Sequence, residues 1–417
     1  RESAMKLNLA PATTSSALGR SASAALLAAS LLFSPLQDVP LVPAPFGTAA
    51  AQARELASGS GSRVNKDPNS LLRLALPSQP KGLREAQLKI EEAADGLQRF
   101  LLTNAGQALN SAKGALKGQR SAILKAVPAS SAARGEELLA SIESKVSDAS
   151  AAVAKGDSGS GSKSLESALI DVSALEELIA TTFVQPTPPK EFDNIPWLKG
   201  RAEIAFELKR PGGKFDVEGT LYDKLQMKAV VDGYTSPVTA GNFVDLVNKG
   251  FYNNFQIQRS DGFVVQTGDP KAEGKQDLNG YVAPGTNKVR KIPLEVYVQG
   301  DKAPIYGATF DDDGRGGYAA SMPFNAYGAL GMAREEYDAD SASSQWFWLL
   351  FDSDLTPAGK NLLDGRYACF GYTVEGANLL SDVKEGDVIV SAKVTKGIEN
   401  LQKPASAAAE PAAAASS

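Results

Sequence analysis

The sequence predicts a multidomain chain: an N-terminal all-α helical bundle followed by a closed antiparallel β-barrel with flanking helices. Three observations carry this expectation. The spacing of apolar residues changes from three-and-four to two near Gly200, a proline-rich segment separates the two patterns, and 417 residues suffice for two ordinary domains.

Composition narrows the chemistry before any motif is read. With 48 Asp and Glu against 43 Lys and Arg, and no long basic run, the chain has no footprint for a phosphate backbone, so nucleic acid is not an expected partner. The single cysteine, Cys369, excludes an internal disulfide and reads as a small buried residue in a strand. The chain has no histidine. That rules out a Ser-His-Asp triad, a Cys-His pair, a histidine metal site and a histidine pH switch. Catalysis must then come from carboxylates, Lys, Arg, amides, hydroxyls or the backbone, and neither cofactor nor metal is expected.

Residues 1–53 read as a bipartite leader. Residues 1–37 hold one acid, Glu2, among many Ser, Ala and Thr, as organelle transit segments do. The apolar run over 22–33 is too short to span a bilayer, which takes about 20 residues. Ala51-Gln52-Ala53 supplies a small-x-small cleavage signal. A transit-like start joined to a secretory-type core predicts two successive sortings, as for the chloroplast thylakoid lumen; a disordered Ala-rich tail is the alternative.

Residues 54–185 should form the bundle. Leu83, Ala86, Ile90, Ala93, Leu97 and Leu101 recur at helical steps, as do Leu138, Leu139, Ile142, Val146, Ala149 and Val153, then Leu165, Leu169, Val172, Leu175 and Leu178. A weaker helix covers 107–127 and ends at Pro128, giving about four helices. The Gly- and Ser-rich stretch 156–164 reads as a flexible loop between helices. Residues 186–199, opening Pro186-Thr187-Pro188-Pro189, read as an extended linker, 200–398 as the barrel domain and 399–417 as a disordered tail.

Within the barrel domain, Ile204, Phe206 and Leu208 alternate with polar neighbours, and Met227, Ala229 and Val231 mark another strand. Pro237 opens a helix. Residues 263–267, 346–350, 367–372 and 387–394 read as further strands, and a closed barrel would leave them no open edge.

Four ordered segments resemble the cyclophilin family. Pro237-Val238-Thr239-Ala240-Gly241-Asn242-Phe243 resembles its Pro-x-Thr-x-x-Asn-Phe helix start. The segment 252–259, followed by Phe263-Val264-Val265-Gln266-Thr267-Gly268-Asp269, resembles its Phe-His-Arg loop and Phe-x-x-Gln-Gly-Gly-Asp strand. Gly328-Ala329-Leu330-Gly331-Met332-Ala333 resembles Gly-x-Leu-Ser-Met-Ala. Gln345-Trp346-Phe347 and Leu363-Asp364-Gly365 resemble Gln-Phe-Phe and Leu-Asp-Gly. The resemblance covers about half the chain and implies a barrel of cyclophilin type with peptidyl-prolyl cis-trans isomerase activity. It implies Arg259 as the catalytic residue and Phe263, Gln266, Met332, Ala333, Gln345, Phe347, Leu362, Leu363 and Tyr367 as the lining of the proline site. Leu362 stands where many members have tryptophan and Tyr367 where they have histidine, while Ile257 and Gln258 replace the Phe-His before the arginine. Taken singly, Phe263 and Phe347 read better as plain barrel core and Arg259 as an exposed surface charge; it is the ordered motifs that favour the site reading.

The chemistry suits this composition. Amide resonance raises a barrier of about 18–20 kcal/mol to rotation of an Xaa-Pro bond. In the twisted state the imide nitrogen becomes an acceptor, and a fixed guanidinium stabilises that state alone. The arrangement of leader, helical domain, proline linker and isomerase domain resembles the plant and algal thylakoid-lumen multidomain cyclophilins. That implies a folding factor for Xaa-Pro segments, clients among lumen-exposed loops of photosystem II subunits, and peripheral membrane association. Separately, the short proline linker predicts contact between the helical domain and its own barrel, since a stiff tether gives a high effective concentration. A noncatalytic peptide-binding scaffold is the competing expectation.

Overall fold

The computed structural model describes residues 64–77, 79–351 and 361–404; the expected leader and the tail beyond residue 404 lie outside the described residues. Six α-helices are described: α1 (Pro68–Ala75), α2 (Lys81–Gln98), α3 (Leu102–Ala126), α4 (Ala132–Ala154), α5 (Ser158–Ala180) and α6 (Pro237–Asn248). Helices α2 to α5 are the expected bundle. Their predicted stripes, including Leu83, Ile90, Leu139, Val146, Leu165 and Val172, make one buried core. The stretch expected as a loop over 156–164 is largely helical instead. Asp157 caps α5 by accepting from Ser160 N at 3.0 Å, and a Cβ on Gly161 would stand 2.9 Å from Leu97. This glycine lets two helices approach; it does not loosen the chain.

The eight-residue α1 was not expected. Asp67 caps it, accepting from Ser70 N at 2.8 Å, with Pro68 in its first turn. Its polar side faces the bundle, where Ser70 Oγ and Arg73 Nε donate to Glu91 at 2.7 and 2.8 Å. Leu71, Leu72 and Ala75 pack into an apolar cluster of the second domain.

That domain holds short pairings and one large sheet. The pairs are β1 (Trp197–Leu198) with β15 (Leu401–Gln402), β3 (Phe215–Val217) with β4 (Thr220–Tyr222), and β9 (Glu295–Val296) with β10 (Ile305–Tyr306). The large sheet contains β2 (Arg201–Lys209), β5 (Leu225–Asp232), β6 (Phe255–Gln256), β7 (Arg259–Ser260), β8 (Val264–Thr267), β11 (Ala329–Met332), β12 (Trp346–Leu349), β13 (Cys369–Glu375) and β14 (Val388–Lys396). Its order is β6-β14-β2-β5-β13-β11-β12-β8-β7, with every ladder antiparallel.

The expected closed barrel is therefore corrected to a curled half-barrel, because no ladder joins the two end strands. Those ends, β6 and β7, belong to one run of chain separated by Ile257 and Gln258, so covalent continuity spans the gap that strand pairing would otherwise close. Inside the curl, Phe206, Phe243, Trp346, Trp348 and Phe370 form the core, with α6 packed in it.

Two expected boundaries also shift. The end of the linker and the start of the tail pair with each other as β1 and β15. The residue just before the linker is fastened to the second domain: Gln185 Nε2 donates to Leu198 O at 3.1 Å and Gly233 O at 2.5 Å, while its Oε1 accepts from Gly200 N at 2.9 Å. Gln185 is buried, so the chain leaves the bundle already attached to the sheet.

Candidate active site

The ladders align the site across four strands. Arg259 pairs with Gln266, Gln266 with Phe347, and Phe347 with Gly331. Directly opposed residues of an antiparallel ladder share a face. Arg259, Gln266 and Phe347 thus form one row on the outer face, and Gln345, two residues before Phe347, joins it. The same alternation turns Trp346 and Trp348 inward, with ring centroids 4.3 Å apart.

This alternation corrects one expected residue. Met332 pairs with Trp346 and lies in the interior core, on the face opposite Arg259, Gln266 and Phe347. Ala333 takes the outer side with Phe347 and Leu363, and Phe263 and Tyr367 pack on the same cluster. Leu362 is 66 % exposed, outside that cluster, because the turn directs Leu363 inward in its place.

Arg259 sits at a tight corner. Gly262, at φ 80°, provides the positive φ of a short hairpin turn between β7 and β8. Arg259 donates from Nε to Asp261 Oδ2 at 2.7 Å and from Nη2 to the same carboxylate. Asp261 also accepts from Phe263 N and Val264 N, both at 3.0 Å. Partial burial opposes its ionisation, yet the Val264 and Phe263 N–H groups and the guanidinium hold its carboxyl below the usual range. The cation is thus held by a carboxylate that is itself fixed by the turn.

Beside it runs a chain of amides. Gln266 Nε2 donates to Gln345 Oε1 at 3.2 Å, and Gln345 Nε2 donates to Asn279 Oδ1 at 2.6 Å. Asn279 comes from the long segment between β8 and β11. That segment is anchored by Glu295, which is fully buried and accepts from Val238 N and Thr239 N at 3.0 and 2.7 Å. In this way the insertion caps α6, whose own Ser236 makes no side-chain cap.

The aromatic floor involves the same insertion. Phe324 lies near-parallel to Phe347, centroids 5.9 Å apart and planes 15° apart. Tyr367 meets Phe347 edge-on at 6.2 Å, and the Arg334 guanidinium lies 4.9 Å from the Tyr367 ring centre. Phe263 pairs with Phe351 at 5.2 Å. Asp261, Asn279, Phe324 and Arg334 were not among the expected site residues. Asp261 stands inside the family-like segment, two residues from the arginine; the other three carry no local signal.

The candidate site thus sets a guanidinium beside ordered amides and an aromatic floor, on the outer face of a curled antiparallel sheet. The family model for cyclophilin type peptidyl-prolyl cis-trans isomerases matches residues 218–402, and that for the CYP38-like, PsbQ-like domain matches 67–180. The chain belongs to the cyclophilin-type peptidyl-prolyl cis-trans isomerase family. It is 40 % identical over 342 residues to the chloroplastic peptidyl-prolyl cis-trans isomerase CYP38 of Arabidopsis thaliana, covering 81 % of this chain and 76 % of that one. A putative thylakoid lumen peptidyl-prolyl cis-trans isomerase of Synechocystis is 39 % identical over 80 % of this chain and 84 % of its own. The chloroplastic CYP37 of Arabidopsis thaliana is 27 % identical over 82 % and 72 %.

Proposed function

We propose that this isomerase works in the thylakoid lumen as a folding factor for Xaa-Pro segments, with lumen-exposed loops of photosystem II subunits as its clients. The observation that carries the catalytic part is the row Arg259–Gln266–Phe347, which sets a fixed cation beside amide donors and an aromatic ring. The guanidinium would donate to the imide nitrogen as it loses conjugation, while Gln266 orients the preceding carbonyl. The location is supported by the leader pattern and by the chloroplast and thylakoid-lumen names of two relatives. Peripheral membrane association and docking of clients by the bundle belong to the same reading.

The test is the isomerisation rate of a model Xaa-Pro peptide with the whole chain. Acceleration is expected, and Arg259→Ala should lower kcat/KM by about 10²-fold, the usual cost of one transition-state donor. Acceleration that survives Arg259→Ala would defeat this assignment. A second reading, a noncatalytic scaffold, is favoured by one observation: Phe347 has no exposed surface. It predicts peptide binding by the whole chain with no rate acceleration at any concentration.

A further inference from the structure

The floor of the proline site is closed by the chain itself. Phe347 is 0 % exposed, so no ring of a substrate can touch it while it keeps this position. Its ring tip lies over β11, where a Cβ on Gly331 would come within 2.2 Å of Phe347 Cζ. That approach is open only to glycine, since real Cβ atoms do not come so near another heavy atom. Gly331 occupies the position at which the family-like motif Gly-x-Leu-Ser-Met-Ala has serine.

Phe324 completes the closure by lying almost flat on Phe347. It is buried, and its place is fixed through the backbone. Its N–H donates to Asp364 Oδ1 at 2.7 Å, and Tyr372 Oη donates to Pro323 O at 2.7 Å. This is therefore an anchored ring. It is not a surface side chain folded in for want of a better place.

We propose that Phe324 and Gly331 control access to the proline site: together they let the Phe347 ring fold into it, so an Xaa-Pro segment enters only when that ring is displaced. The proposal rests on the isomerase reading and deepens it. A proline ring needs an apolar surface to bury, and the surface exists here but is spent on Phe324, Tyr367 and the backbone of β11. The apparent affinity for a peptide is then reduced by the fraction of molecules with the ring displaced. Large, apolar residues flanking the proline favour entry, because they supply the contact that displaces the ring.

Two variants test this. Phe324→Ala removes the stacked ring, and Gly331→Ser leaves Phe324 in place but forces the Phe347 tip off β11. For each folded variant, verified by near-UV circular dichroism and cooperative melting, the measurements are the Kd of a model Xaa-Pro peptide and its isomerisation rate. Both should bind the peptide about tenfold more tightly than the unaltered chain, or better. Their kcat/KM should rise in parallel, and adding Arg259→Ala should abolish the rate gain while leaving the tighter binding. Should Gly331→Ser not fold, Phe324→Leu, which keeps the site apolar but takes away the flat stack, gives an intermediate gain. Folded variants whose peptide affinity is unchanged would overturn the proposal. Tighter binding with no catalysis would keep the gate and defeat the isomerase reading, so the two failures are distinguishable.

Discussion

Replacing Arg201 by Met is expected to lower the melting temperature by roughly 10 °C, the largest stability effect foreseen for a single substitution at the junction of the two domains. Arg201 begins β2, and three parts of the chain meet on its guanidinium. Nε donates to Asp232 Oδ2 at 2.6 Å, Nη2 donates to Leu72 O at 2.5 Å, and Nη1 lies 3.4 Å from Glu177 Oε1. Asp232 has no exposed surface. Removing its cation leaves a buried carboxylate satisfied only by Thr235, whose N and Oγ1 donate at 2.9 and 3.0 Å. An uncompensated charge of this kind costs about 3–5 kcal/mol. At roughly 2–4 °C per kcal/mol for domains of this size, the expected shift follows.

The loss should be partly reversed in Arg201→Met/Asp232→Asn, because removing both charges leaves less to desolvate than removing one. A double variant no more stable than the single would place the effect elsewhere, in the contact to α1. The carbonyl of Leu72 belongs to α1, whose Leu71 and Leu72 pack in the same cluster as Phe347. Losing the Arg201 guanidinium should therefore also speed proteolytic cleavage near α1, measured under native conditions.

Much of this arrangement could be read in the sequence, and the failures have physical causes. The bundle stripes and the strands around Phe347 were legible because the period that marks a buried face repeats within a single element, at steps of three, four or two. Met332 was misplaced because a motif was taken as a unit. Its own alternation with Leu330 puts both on the inner face, a fact available from the spacing alone. Leu362 and Leu363 are adjacent in a turn, where no period decides which points inward. The helix α1 is too short for periodicity, and it is held by Glu91, Ser173 and Arg201, up to 129 residues away. The ends of the curled sheet could not be foreseen, since strand count says nothing about which edges pair. Phe324, Asn279 and Glu295 lie in a segment with little regular structure, and their roles come from partners 23 to 66 residues distant.

Lowering the pH from 8 to 5.5 should raise the stability of the fold. Three carboxyls are pushed up to about 7, all chiefly by burial: Glu176, Glu295 and Asp364. For Glu176 the attraction of Arg84 and Arg73 opposes burial without overcoming it, and neither carboxylate oxygen has a hydrogen bond; Arg84 Nη1 is 3.7 Å away. For Glu295 the Thr239 and Val238 N–H groups oppose it, and for Asp364 the Phe324 N–H does. The unfolded chain would hold these protons only below about pH 4–4.5. Between there and pH 7 the folded state binds more protons than the unfolded one, so stability falls as pH rises through the folded values. With no histidine in the chain, no imidazole titrates in that window. A loss of about 1–3 kcal/mol between pH 5.5 and 8 is expected, read as a melting temperature lower by several degrees at constant ionic strength. Glu176→Gln should flatten the dependence and raise stability at pH 8, because it removes a buried charge that lacks hydrogen bonds. Glu295→Gln should flatten it too but lower stability throughout, because an amide offers one acceptor where two N–H groups of α6 need two. A melting temperature that rises with pH, or a Glu176→Gln variant as pH-sensitive as its parent, would refute this account. Asp364 also ties the sign to the active site, since it holds the N–H of Phe324. The Phe324 N–H bonds the ionised carboxylate better than the neutral acid, so protonating Asp364 weakens this anchor, and the closure around Phe347 should loosen as the surroundings acidify through about 7 and tighten towards pH 8.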